Sequence, residues 1–244
     1  EDQLAAYYES EDYISHTDGS RSLFEKAYQF VKQIALKNKL KCINELHQAK
    51  GILLDIGAGT GDFLAVAKQN GWQTMGIEPN DKAKRIAQNK GVEFVEATNS
   101  LADHSIDVIT MWHVLEHVPN VENQIKELKR LLKPNGSIII AVPNFNSYDA
   151  KYYDSYWAAF DVPRHLWHFS KKAIKSLFER ENFHLKKTLP MLFDAFYVAL
   201  LSEKYKTGKM NIIKATFIGI KSNWKAKSTG EYSSLIYILK NNKA

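Results

Sequence analysis

Residues 51–144 alternate short apolar runs with helix-length amphipathic segments, and that rhythm constrains the fold more than any other feature of the chain. GILLDIG (51–57), QTMGIEP (73–79), VEFVEA (92–97), SIDVITMW (105–112) and SIIIAVPN (137–144) read as buried strands, several of them ended by Gly or Pro. Between them, GDFLAVAKQNG (61–71), DKAKRIAQNKG (81–91) and VENQIKELKRLLKPNG (121–136) read as helices with Gly-containing stops. Strands alternating with helices of this length predict βαβ units, right-handed crossovers and a doubly wound, mostly parallel sheet. In such sheets ligands sit beyond the carboxyl ends of the strands, so the residues just after each strand carry the information about function.

The flanks extend the pattern. Apolar residues at helical spacing predict a helix over 21–48, and past 144 the rhythm breaks into an irregular, aromatic stretch, 145–169. SKKAIKSLFERENF (170–183) reads as a helix with Ser170 as N-cap. HLKKTLP (184–190) and YSSLIYILK (232–240) bring the strands to seven, with helical segments expected over 194–206 and 210–221. The expected organisation is an N-terminal cap segment and helix (1–50), an α/β domain (51–190 with 231–244) and a helical insertion before the last strand (191–230). No apolar run approaches the roughly 20 residues that span a bilayer. The acidic, polar start is no signal peptide. Single Cys42 rules out an internal disulfide and a multi-Cys metal site, so the simplest reading is a cytoplasmic protein. The chain opens on Glu1 rather than Met, which raises the expectation of an upstream piece. The net charge of +6 is local: residues 201–244 carry nine Lys against Glu203 and Glu231, and the rest is nearly neutral. That excess is either a solvated surface or an attraction to an anionic acceptor or a membrane surface. No nucleic-acid motif accompanies it. No His or Cys cluster has metal-ligand spacing, so no metal is expected.

The most specific motif is LLDIGAGTGDF (53–63), where the first strand turns into the first helix. Gly57 and Gly59 allow a tight turn and leave the main chain open to a ligand. A dinucleotide fingerprint, G-x-G-x-x-G, needs Gly at 62, and position 62 is Asp. The pattern is instead D-x-G-x-G-x-G, ending on Gly61. Led by Asp55, it resembles the pocket of class I S-adenosylmethionine-dependent methyltransferases, and WAAFDVPRHLWHFS (157–170) resembles the small-molecule type near the ubiquinone and menaquinone enzymes. The resemblance covers about 51–144, more weakly to 190. It implies a seven-stranded Rossmann-like sheet, S-adenosylmethionine as methyl donor and S-adenosylhomocysteine as product. By the same resemblance Asp55, Gly57, Ala58, Gly59 and Gly61 form the loop, Glu78 and Pro79 the ribose side, and Trp112 and His113 the methionine side. Where the family often has an acid facing adenine, this chain has Ala97 and then Thr98, so that contact falls to Thr98, Glu96 or backbone. His117, in the HVLEHV turn, reads as a structural hydrogen-bonder.

Two segments can cover such a pocket. In YYESEDYISH (7–16), Tyr13 and His16 are candidates for the cofactor's sulfonium or carboxylate. In WAAFDVPRHLWHFS (157–170), Arg164 is a candidate for an acceptor anion and His165 or His168 for a base. The alternative reading is an aromatic plug in which Arg164 pairs with Asp161 or Asp154. The expected activity is methyl transfer to O or N of a small-molecule, anionic or lipid-linked acceptor. No stable membrane insertion and no nucleic acid are expected, and the insertion 191–230 could make peripheral membrane contact, an acceptor pocket or a homodimer. Two rivals stand beside this: an NAD-type oxidoreductase, disfavoured by Asp62, and a non-catalytic cofactor-binding module of the same fold.

Overall fold

The computed structural model describes residues 23–241; the N-terminal candidates Tyr13 and His16 lie outside them. The chain runs α1 (Leu23–Leu46), β1 (Ile52–Ile56), α2 (Asp62–Gln69), β2 (Gln73–Ile77), α3 (Asp81–Gln88), β3 (Ile106–Trp112), α4 (Val121–Leu131) and β4 (Leu132–Pro143). It continues through α5 (Tyr148–Tyr153), α6 (Lys171–Arg180), β5 (Phe183–Pro190), α7 (Asp194–Thr207), α8 (Ile212–Thr229) and β6 (Ser234–Asn241). The six strands form one mixed sheet in the order β2-β1-β3-β4-β6-β5, with β1 and β2 parallel and β5 and β6 antiparallel.

The expected seventh strand, 92–97, is reduced to one parallel bridge between Phe94 and Gly76. Two hydrogen bonds hold it, Gly76 N–H to Glu93 O (2.9 Å) and Val95 N–H to Gly76 O (3.0 Å). The chain then turns away into a 3₁₀ turn over Thr98–Ser100, before a ladder can build. The α4–β4 boundary also differs from the sequence reading. The helix stops at Leu131, and Lys133-Pro134-Asn135-Gly136 already belongs to the strand. Pro134 has no N–H for a helix and drives Lys133 to an extended conformation.

By compactness the chain divides into two units: Glu1–Thr110 with Arg130–Ser137, and Met111–Lys129 with Ile138–Ala244. In the first, β1 is almost wholly buried because ILLDI is apolar at four of five positions. Helix α1 is tied to this unit by Lys32 to Asp62 (3.0 Å) and by Trp72 Nε1–H to Asn44 Oδ1 (2.9 Å). In the second, Tyr153, Trp157, Ala158 and Ala159 pack with Val198, Ala199 and Leu200 of α7 and Ala215 and Ile218 of α8. The front of the aromatic stretch is therefore core, anchored to the two helices over 194–229. A buried carboxylate, Asp149, organises this core. It accepts hydrogen bonds from Trp157 Nε1 (2.8 Å), Ser222 Oγ (2.6 Å) and Ser233 Oγ (2.7 Å).

Candidate functional site

The candidate residues fall into two groups, one in each unit. In the first unit, β1 ends at Ile56 and the next five residues turn through three glycines with positive φ, Gly57, Gly59 and Gly61. The N–H groups of Gly57 and Ala58 both donate to Ile77 O (2.8 and 3.0 Å), which binds the loop to the end of β2. The glycines have different reasons to be glycine. A β-carbon at Gly61 would lie 2.5 Å from Ala87 Cβ and 2.9 Å from Val92 Cγ2, so Gly61 lets α2 and α3 approach. A β-carbon at Gly59 would meet nothing within 4 Å, so the space over this residue is open to a ligand.

Glu78, one residue past β2, closes the loop. Its buried carboxylate accepts Gly59 N–H at Oε2 (2.7 Å) and Asn80 N–H at Oε1 (2.9 Å). Each oxygen keeps a lone pair for a further donor, as a pair of ribose hydroxyls requires. Pro79 follows, exposed. Asp55, buried in β1, accepts Thr110 Oγ1 at 2.5 Å. Burial pushes its carboxyl up to about 7 against the opposing Thr110 bond. Asp62 stands at the start of α2 with Lys90 (2.9 Å), Thr60 Oγ1 (2.8 Å) and Lys32 (3.0 Å) around it. Burial would raise its carboxyl, but these donors outweigh it and hold the group below the usual range. Ala97 is exposed and Thr98 half-buried, and Arg130 fixes their loop through Thr98 O and Leu101 O (3.0 Å each).

The second unit holds Trp112, His113 and the candidates of the aromatic stretch. Trp112 is buried at the end of β3. His113 adopts a left-handed backbone (φ 58°), with its N–H donating to Ala141 O (2.9 Å). Its ring lies between two carboxylates, Nδ1 3.3 Å from Glu116 Oε1 and Nε2 3.0 Å from Asp194 Oδ2. Burial disfavours the charged ring, but Asp194 and Glu116 more than compensate and hold its pKa up at about 10, as an imidazolium.

The back of the aromatic stretch is laid along the turn after β3. Leu166 and Trp167 N–H both donate to Glu116 O (2.9 and 3.2 Å), and Trp167 Nε1–H donates to Val118 O (2.8 Å). His117 Nδ1 meets Arg164 O (3.0 Å) and His165 Nδ1 meets Ala159 O (2.9 Å). The two rings stand edge to face, centroids 4.6 Å apart. His168 Nε2 meets Phe160 O (2.9 Å), and Arg164 Nη2 pairs with Asp161 Oδ1 (2.5 Å), the pairing weighed for an aromatic plug. Residues 157–160 thus pack with the core, and 161–168 carry titratable groups along the turn after β3. Sequence reading missed Asp194 and gave Glu116 no role, because Asp194 is 81 positions from His113 and nothing local marks either carboxylate.

Among the described residues no helix is long and apolar enough to cross a membrane. A methyltransferase-domain family profile matches residues 24–188. An uncharacterized protein of Methanocaldococcus jannaschii is 30% identical over 125 residues, 50% of this chain and 58% of that protein. A ubiquinone biosynthesis O-methyltransferase of Nitrosospira multiformis is 31% identical over 104 residues, 38% of this chain and 44% of the relative. The chain spans about half the length of these curated relatives. Magnesium protoporphyrin IX methyltransferase of Synechocystis, solved with S-adenosylhomocysteine, superposes with a TM-score of 0.66 at 14% identity, covering 99% of this chain and 100% of that one. A SAM-dependent methyltransferase of Thermotoga maritima gives 0.61 at 20% identity, covering 89% and 94%. At these identities the shared property is the fold.

Proposed function

The chain belongs to the methyltransferase-domain family, and we propose that it moves a methyl group from S-adenosylmethionine to an oxygen or nitrogen of a small-molecule acceptor. The observation that carries the cofactor reading is Glu78, a buried strand-end carboxylate bonded to Gly59 N–H beside open space over Gly59. When bound, S-adenosylmethionine supplies a methyl group activated as a sulfonium. The chain's own residues hold, orient and shield. Gly57, Ala58, Gly59 and Gly61 form the loop with Asp55 beneath it, Glu78 and Pro79 take the ribose side, and Ala97 and Thr98 the adenine side. Trp112 and His113 take the methionine end. Neither rival reading gains support: Asp62 is committed to Lys90 and Lys32 where an oxidoreductase loop would need glycine.

On the acceptor side, Arg164 receives an anion, and His165 and His168 are the candidates for removing a proton. Each imidazole has one nitrogen at a backbone carbonyl, which can only accept, so the lone pair is on the other nitrogen. We extend the reading to a lipid-linked acceptor reached by peripheral contact. Ile213, Phe217, Ile220 and Trp224 form one exposed stripe of α8 at helical spacing, from 57% to 85% exposed, with Lys209, Lys214, Lys221 and Lys225 close by in sequence. Apolar rings flanked by lysines suit the headgroup region of an anionic bilayer.

Calorimetric titration with S-adenosylmethionine, S-adenosylhomocysteine and NAD+ tests the cofactor. Binding of the two sulfur compounds, lost in Gly59→Arg and weakened in Glu78→Ala, is the expected result. Binding of NAD+ alone would put the oxidoreductase first.

A further inference from the structure

Glu116, His117 and His165 come together although 48 positions separate the two histidines. Their potential ligand atoms all lie within 4.8 Å of one another. Three observations bear on this cluster. First, both imidazoles point Nδ1 at a backbone carbonyl, Arg164 O for His117 and Ala159 O for His165. A carbonyl only accepts, so Nδ1 holds the proton and Nε2 the lone pair in each ring, the tautomer and backbone anchoring of metal-ligating histidines. Second, Glu116 is 1% exposed, and neither carboxylate oxygen has a hydrogen bond of good geometry. The His113 ring lies 3.3 Å from Oε1 and is shared with Asp194. A buried carboxylate whose cation is shared and off hydrogen-bond geometry is only partly compensated, and a second cation would complete its environment. Third, a further carboxylate borders the cluster, Asp161 Oδ2 at 3.8 Å from His165 Nε2.

We propose that Glu116, His117 and His165 form a divalent-metal site of two imidazoles and one carboxylate. That donor set suits a borderline ion, Zn2+ first, with Fe2+ or Co2+ able to take its place. Bonds of about 2.0–2.2 Å set donors roughly 3.4 Å apart in a tetrahedron, so ion binding draws the cluster in by about an ångström. Three protein ligands leave a fourth position open to an exogenous oxygen, water or an acceptor hydroxyl, whose acidity the ion would raise. The site takes His165 from the role of base and leaves His168 for it. Spacing along the chain, which gives no sign of a metal, is blind to a pairing of residues 117 and 165.

The test uses tag-free protein stripped with chelator, then titrated with Zn2+ by calorimetry and with Cu2+ by electron paramagnetic resonance. The expected result is one equivalent of Zn2+ and a Cu2+ spectrum split by two imidazole nitrogens. His165→Ala should remove one nitrogen and weaken Zn2+ binding at least about tenfold, whereas His168→Ala should change neither. No Zn2+ binding, fewer than two nitrogens in the parent spectrum, or equal affinity in His165→Ala would overturn the site. The parent spectrum decides even where a variant fails to fold. Metal content and nitrogen count are read without methyl donor or acceptor, so this outcome is independent of the transfer reaction.

Discussion

The two units are built on different principles. The glycine-loop unit is shaped by its backbone: Gly57, Ala58 and Gly61 N–H groups find carbonyls, and one carboxylate, Glu78, closes the loop. Its partners are mostly close in sequence, one βα turn apart. The other unit is shaped by side chains from distant segments. Asp149 joins Trp157, Ser222 and Ser233; Glu203 accepts Tyr153 Oη–H (3.0 Å) and pairs with Lys214 (3.1 Å); Asn144 Nδ2 donates to Glu231 (2.7 Å). A backbone-built loop announces itself by its glycines. A side-chain hub announces itself only in three dimensions.

The largest expected effect is at the hub. Asp149→Ala leaves three buried donors without an acceptor and should cost about 3–5 kcal/mol in denaturant unfolding. A cost below about 1 kcal/mol would break the contrast between the units. Next is Asp55. Its native pKa is raised above the unfolded value, so the proton it keeps stabilises the fold at low pH, and that contribution is lost as pH rises from about 4 through about 7. The loss approaches roughly 4 kcal/mol at most. Asp55→Asn should be the more stable protein at pH 8, and the difference between the two melting curves should shrink toward pH 4. Parallel curves would remove the raised pKa.

Within the loop, Gly61→Ala meets Ala87 and a positive φ together and should cost about 2–3 kcal/mol. Gly59→Ala meets only the φ strain, about 1 kcal/mol. Thermal unfolding of the pair separates packing from ligand space, since Gly59→Arg should lose the methyl donor while Gly61→Ala at low temperature keeps it. The smallest stability effect is on α8. Trp224→Glu should leave the melting temperature within a degree or two, yet reduce sedimentation with phosphatidylglycerol vesicles severalfold. Equal sedimentation would remove the peripheral contact.

The same difference explains how much was legible in the sequence. The alternation of strands and helices, the glycine loop, Glu78 and the Ser170 cap, whose side chain accepts Ala173 N–H (3.2 Å), are local signals. VEFVEA (92–97) has the alternation of a strand, but pairing ends after Phe94. The turn after β3 announces Trp112 and His113 locally, but the clamp on His113 depends on Asp194, and the His117–His165 contact on a chain return of 48 residues. Arg164 reads as an anion receptor along the chain, and in space it meets Asp161 first.

Strand β6 lies between β4 and β5 in the sheet, and Ser233, just before it, reaches Asp149. As the chain is made, the glycine-loop unit has all its residues once Ser137 has emerged. The other unit waits for β6, Ser234–Asn241. Until β6 has emerged, β4 and β5 lack the strand that joins them, and until Ser233 has emerged Asp149 lacks one of its donors. A nascent chain halted near residue 225 should therefore hold a finished glycine loop while the unit around Asp149 is still incomplete.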